Sequence, residues 1–230
     1  MSKWQTLFAL LWICMHTIGL PWIMSKIPGI YNYDEATLNF ALYAFSAAAL
    51  VIGCWTFMKR DYNTLCDNFR RTLFTIIRCF AMIVAFDLLL TGILSLFQVV
   101  SGADIEIANE NNDAITTMAG SNYGMIAAAS VFLAPIAEEI MFRGAVFGTL
   151  RRKNRVLAYA VSMILFSVYH VWSYAISDPS YWWYTLQYLP VSFVICFCYE
   201  QSNTIWGSIL FHMIWNGVTL YALQALGEMI

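Results

Sequence analysis

Charge is scarce in this chain. Of its 230 residues only 11% are Asp, Glu, Lys or Arg, while 60% are hydrophobic. A soluble domain carries about 25% charged residues, so this composition points to a membrane protein before any segment is inspected. No basic tract is long enough to suggest nucleic acid, and the basic clusters read as topological signals. Cys14, Cys54, Cys66, Cys79, Cys196 and Cys198 are scattered, mostly inside apolar runs, without the spacing of a zinc or redox motif. They read as small apolar residues, and no disulfide framework is implied. The first apolar run lacks a small-residue cleavage site at its end, where Pro21 and Trp22 stand instead, so it reads as a retained membrane helix. There is no internal repeat, low-complexity tract or linker, which points to a single domain over residues 1–230.

What is present is a series of apolar runs. They extend from about Trp4 to Met24, Thr37 to Met58, Thr72 to Val100, Tyr123 to Leu150, Val156 to Ile176, Thr185 to Tyr199, and from Ile205 onward. Their lengths predict an all-α, polytopic integral membrane protein of about seven helices, with six to eight as the range. A re-entrant piece near Pro190 would change the parity. Lys59–Arg71 reads as a hydrophilic connection and Ser101–Asn122 as an acidic loop. Ser177–Tyr184, with its Tyr-Trp-Trp-Tyr cluster, suits a membrane interface.

Against this background, ionisable residues inside the runs stand out, because each costs several kcal/mol unless it finds a partner. His16 and Asp87 lie alone and are expected to make structural hydrogen bonds to neighbouring helices. Val131–Leu150 is different: it carries Glu138, Glu139 and Arg143. Glu139 and Arg143 are four apart, the favourable spacing for an ion pair on one helix face. Glu138 lies about 100° around the helix and is left free. His170 follows on the fifth run, and His212 and Asn216 share a face of the last, again four apart. Counted from the inferred cytoplasmic ends at about 1.5 Å per residue, these groups fall about 10–21 Å deep and can meet near the middle of the membrane.

Such a set supplies the parts for water-mediated amide hydrolysis. A carboxylate beside an imidazole can deprotonate water and return the proton to the leaving amine. A second imidazole and an amide can donate to a developing oxyanion. Glutamate and two histidines could equally hold zinc, with Glu138, His170 and His212 as ligands, although the helical pair His-Glu-x-x-His is absent. A silent membrane scaffold keeping the same fold is a second reading. A small transporter using buried Glu and His is a third, disfavoured by the lack of an internal repeat.

Glu138-Glu139-x-x-x-Arg143, Phe166-x-x-x-His170 and His212-x-x-x-Asn216, in that order, resemble the three signature motifs of the CAAX protease and bacteriocin-processing family. That family of intramembrane endopeptidases includes the Ras-converting enzyme. The resemblance implies a catalytic core over about residues 123–226. It implies that Glu138 and His170 activate water, that His212 and Asn216 stabilise the oxyanion, and that Glu139, Arg143 and Phe166 support them. It leaves a metal-free glutamate mechanism and a zinc-dependent one both open. The implied partners are the lipid bilayer and a membrane-associated peptide or protein substrate. A bacterial-type member would process pheromone or bacteriocin peptides, or confer self-immunity, in the plasma membrane.

The Lys and Arg clusters after the second and fourth runs fall on one side together with the amino terminus, which the positive-inside rule makes cytoplasmic. A cysteine introduced at Asn111 in a cysteine-free background is therefore expected to react with an impermeant reagent from the outer face. Labelling from the cytoplasmic face alone would reverse the orientation.

Overall fold

The apolar runs fold as helices because a backbone in hydrocarbon must satisfy its own N–H and C=O groups. The computed structural model describes residues 1–102 and 110–227, and every regular element among them is helical. In chain order they are α1 (Lys3–Met24), α2 (Glu35–Gly53), α3 (Trp55–Asp67), α4 (Phe69–Ser101), α5 (Asn111–Leu150), α6 (Arg155–Ser177), α7 (Thr185–Ser202) and α8 (Ile205–Gly227). The chain is an all-α, polytopic integral membrane protein. By length and composition α1, α2, α4, α5 and α6 can each cross a membrane. Helix α7, which carries Gln187 and Glu200, is less apolar, while α8 carries His212 and Asn216 within an apolar run.

Several starts are capped by the residue just outside the apolar run. Ser2 and Gln5 form a reciprocal capping box on α1, Asp34 accepts from the Thr37 amide, and Asn154 accepts from the Leu157 amide. Two wide π-type turns precede prolines: Met15–Gly19 before Pro21 and Ala128–Leu133 before Pro135. Proline has no N–H to continue the ladder, and the widened turn absorbs the fault. A third wide turn, Glu139–Phe147, contains no proline. At its centre is Gly144, where a Cβ would come within 3.0 Å of the Met1 sulfur and 3.2 Å of the Phe57 ring.

Two expected loops are helical. Lys59–Arg71 is mostly α3, an amphipathic helix that buries Phe57, Met58 and Asp61. Within Ser101–Asn122, residues from Asn111 onward form the first arm of α5; Asp104 and Glu106 lie outside the described residues. The arm bends at Asn122, whose side-chain oxygen caps the Met125 amide. Ile115, Met118 and Ala119, spaced by helical turns, pack it against a small cluster of Ala36, Ile126 and Leu220. Composition masked this short apolar stripe behind the surrounding Asn and Asp residues.

The basic segments share one end of the bundle. Arg155 pairs with Glu200 at 2.7 Å, Arg151 lies over the Tyr199 ring, and Asp61 of α3 meets the start of α8. Helix α7 runs through Pro190 without reversing, and the chain turns only at Asn203, which has a left-handed backbone (φ 57). Helix α8 therefore starts at the basic end. No reversal occurs at Pro190 within α7.

Asp61 is the fastening at that end. Its carboxylate accepts from the Ile205 amide at 3.0 Å, and its carbonyl accepts from the Thr204 hydroxyl at 2.7 Å. It satisfies one of the α8 amides that the helix itself cannot. Asp61→Ala is expected to leave that buried donor unpaired, at a cost of about 1–3 kcal/mol, and to lower the melting temperature. Arg60→Ala, which removes a largely exposed partner of the same carboxylate, is expected to melt close to wild type.

Candidate active site

Helix α5 delivers two adjacent glutamates to different environments. Glu139 is fully buried. Its Oε1 lies 3.2 Å from Arg143 Nη1 and accepts a hydrogen bond from His212 Nδ1 at 2.9 Å. Nη1 forms an ion pair without an aligned hydrogen bond. Arg143 Nη2 donates to the Ser192 hydroxyl and carbonyl, at 3.2 and 3.3 Å, and the guanidinium lies 4.2 Å from the centre of the Phe166 ring. One carboxylate thus ties α5 to α8, while its arginine partner ties α5 to α7 and α6.

Glu138 points instead into a cavity of about 480 Å³ that is also lined by His170, His212, Asn216, Tyr43 and Asp87. Its Oε2 lies 3.9 Å from His170 Nε2 and 3.8 Å from His212 Nε2. These separations are too long for direct hydrogen bonds and suit one water touching all three groups. The opposite ring nitrogens fix both tautomers. His170 Nδ1 meets the Phe166 carbonyl at 2.8 Å and His212 Nδ1 meets the Glu139 carboxylate; both partners only accept, so each Nδ1 carries the proton. Each Nε2 faces Glu138 with its lone pair when the ring is neutral. His170 is further held by stacking on Tyr188, with ring centres 4.6 Å apart.

Asn216 Nδ2 donates to the Ser130 carbonyl at 2.8 Å, which leaves its second amide hydrogen for the cavity it lines. All the motif residues therefore converge, with Phe166 wedged between Arg143 and the two imidazoles. His16 makes the expected structural bond, 2.8 Å to Ser46. Asp87 departs from expectation: it lines the cavity and makes no hydrogen bond or ion pair among the described residues.

Sequence reasoning missed Tyr43. Its hydroxyl donates to Glu138 Oε1 at 3.2 Å and bonds Tyr169 at 3.0 Å. A lone tyrosine in an alanine-rich run carries no spacing signal, whereas Tyr169 at least adjoins His170. The second role of Glu139, orienting His212, was also hidden, since it spans 73 positions.

A zinc ion here would be held by Glu138, His170 and His212. Two ligands about 2.0–2.1 Å from a tetrahedral zinc lie about 3.3 Å apart, closer than the separations here. Among the described residues no three His, Cys, Asp or Glu side chains group closely enough to hold an ion.

Comparison with known proteins adds an independent finding. Residues 120–218, which contain all three motifs, match the family described as Type II CAAX prenyl endopeptidase Rce1-like. This segment is similar to that family. The chain is also similar to UPF0177 protein YxdF of Lactococcus lactis subsp. lactis (strain IL1403), 31% identical over 80 residues, or 35% of this chain and 40% of that one. A protein of Bacillus subtilis (strain 168) named "Putative membrane peptidase YdiL" is 31% identical over 109 residues, 47% of this chain and 41% of its own. The matches thus span about two-fifths of each relative's length. No solved structure matches the chain. Tyr43 and Asp87 lie outside the Rce1-like segment.

Glu139→Ala is expected to strand a fully buried guanidinium and to destabilise the fold by about 3–5 kcal/mol, read as a lower melting temperature and yield. Tyr43→Phe keeps the ring and removes only the hydroxyl on Glu138. It is expected to melt like wild type while losing about tenfold in kcat with KM little changed, in line with one hydrogen bond to a charged group. Full turnover in Tyr43→Phe would remove Tyr43 from the site.

Proposed function

We propose that the protein is an intramembrane endopeptidase that hydrolyses a peptide bond of a membrane-associated peptide or protein with water activated by Glu138. The observation that carries this reading is a buried carboxylate flanked by two imidazole nitrogens at 3.8 and 3.9 Å, in a cavity of a membrane bundle. The Rce1-like match over the same residues supports it.

In the proposed reaction, water between Glu138 and His170 gives up a proton as its oxygen bonds to the carbonyl carbon. The carbonyl oxygen becomes an oxyanion facing His212 and the free N–H of Asn216. His212 donates through Nε2 only when that nitrogen is also protonated, and the Glu139 carboxylate on Nδ1 balances the charge it then carries. As the C–N bond breaks, the proton held on the Glu138–His170 pair passes to the leaving amine. Every step uses side chains of this chain, and no metal is required. Residues 123–226 are the catalytic core of a single domain in this proposal. The setting is a bacterial plasma membrane with the amino terminus cytoplasmic. The substrates are of the pheromone or bacteriocin kind, cleaved for processing or self-immunity.

The test is cleavage of hydrophobic peptides by the purified protein in lipid nanodiscs, followed by mass spectrometry. His212→Ala and Asn216→Ala are each expected to lower turnover by about two to three orders of magnitude, with binding less affected. Activity is expected to persist after dialysis against a strong chelator, with metal content measured in the same sample. Activity that vanishes with zinc and returns stoichiometrically on its addition would overturn the metal-free mechanism.

A further inference from the structure

Asp87 lies within the apolar helix α4, only partly exposed, and lines the same cavity as Glu138. A carboxylate at such a depth is costly without a partner. None of the described residues supplies one, and the residues lining the cavity include no lysine or arginine. The cavity thus holds two carboxylates and no fixed cationic side chain. The first arm of α5 lines the cavity with Asn111 and Asn112, and from Asn111 to Asn122 it carries Asp113 and no Lys or Arg. A cleft of one charge sign with low-dielectric walls concentrates the opposite sign.

The offset in depth between Asp87 and the reacting groups follows from helix geometry. Measured from the basic end of the bundle, Glu138 lies about 18 Å along α5 from Leu150, and Asp87 about 27 Å along α4 from Phe69. The difference, about 9 Å, equals about three residues of extended peptide. Thr91, one turn beyond Asp87, lines the cavity further toward the acidic end. We infer that Asp87 is a recognition subsite for a basic side chain of the substrate, offset in depth by about three residues of extended peptide from the bond facing Glu138 and on the side of the acidic end. This rests on the endopeptidase reading, and it names the substrate class: a hydrophobic peptide with a lysine or arginine near the cleavage point. The basic side chain supplies in the complex the counter-charge that the free protein lacks.

The test separates binding from hydrolysis. Glu138→Gln protein in nanodiscs is titrated with hydrophobic peptides capped at both ends, identical except for one lysine or its uncharged isostere norleucine, scanned through the sequence. At one position lysine is expected to bind on the order of tenfold more tightly than norleucine, as for a hydrogen-bonded charge pair. Adding Asp87→Asn is expected to abolish that difference, and Asp87→Lys to transfer the preference to a glutamate peptide, with melting curves confirming that each variant is folded. An unchanged lysine preference in Asp87→Asn, or no preference at any position, would overturn the subsite. The same peptides are given to the wild-type protein. If they bind with the expected preference but none is cleaved, the subsite stands and the endopeptidase reading falls.

Discussion

The structure depends on one buried electrostatic junction. Glu139, Arg143 and His212 are almost completely removed from solvent, and together with Ser192 and Phe166 they join α5, α6, α7 and α8. Taking such charges out of water is unfavourable, and their mutual attraction offsets this only while every partner is in place. The junction therefore fixes the relative placement of four helices, and with it the positions of the Glu138 carboxylate and the two imidazoles. Glu138, one residue away, is excluded from this neutralisation. It meets a tyrosine hydroxyl and two ring nitrogens instead. A pair of identical neighbours thus divides into one member held within the junction and one facing the cavity.

The same economy of polar contacts operates at the basic end. Asp61 anchors the first turn of α8, and α8 carries His212 and Asn216 into the bundle. The register of the last helix is set near its start, seven residues before the histidine it must deliver. The widened turn over Glu139–Phe147 is part of the same fit. It lets α5 pass the tight approach of Met1 and Phe57 at Gly144 while keeping Arg143 within reach of Glu139.

Much of the site was legible in the sequence because its members repeat at helical spacing: Glu139 with Arg143, Phe166 with His170, His212 with Asn216. Charged residues in apolar runs are conspicuous, so the division between Glu138 and Glu139 could be read from one helical turn. The membrane-spanning class was equally plain from composition. What stayed hidden were contacts between positions far apart in the chain. Tyr43 reaches Glu138 across 95 positions, and Asp87 shares the cavity from α4 with no motif around it. Helix α3 and the first arm of α5 looked like loops because their apolar stripes are narrow and are diluted by polar neighbours. The wide turn in α5 had no proline to announce it.

The central claim is that Glu138 performs chemistry while Glu139 holds the bundle together. The most direct measurement is to reconstitute Glu138→Gln and Glu139→Gln in nanodiscs and record thermal melting and peptide cleavage on the same samples. The account predicts that Glu138→Gln melts at or above the wild-type temperature and cleaves nothing, whereas Glu139→Gln melts markedly lower. Wild-type turnover in Glu138→Gln, or a loss of fold in that variant with Glu139→Gln left stable, would contradict it.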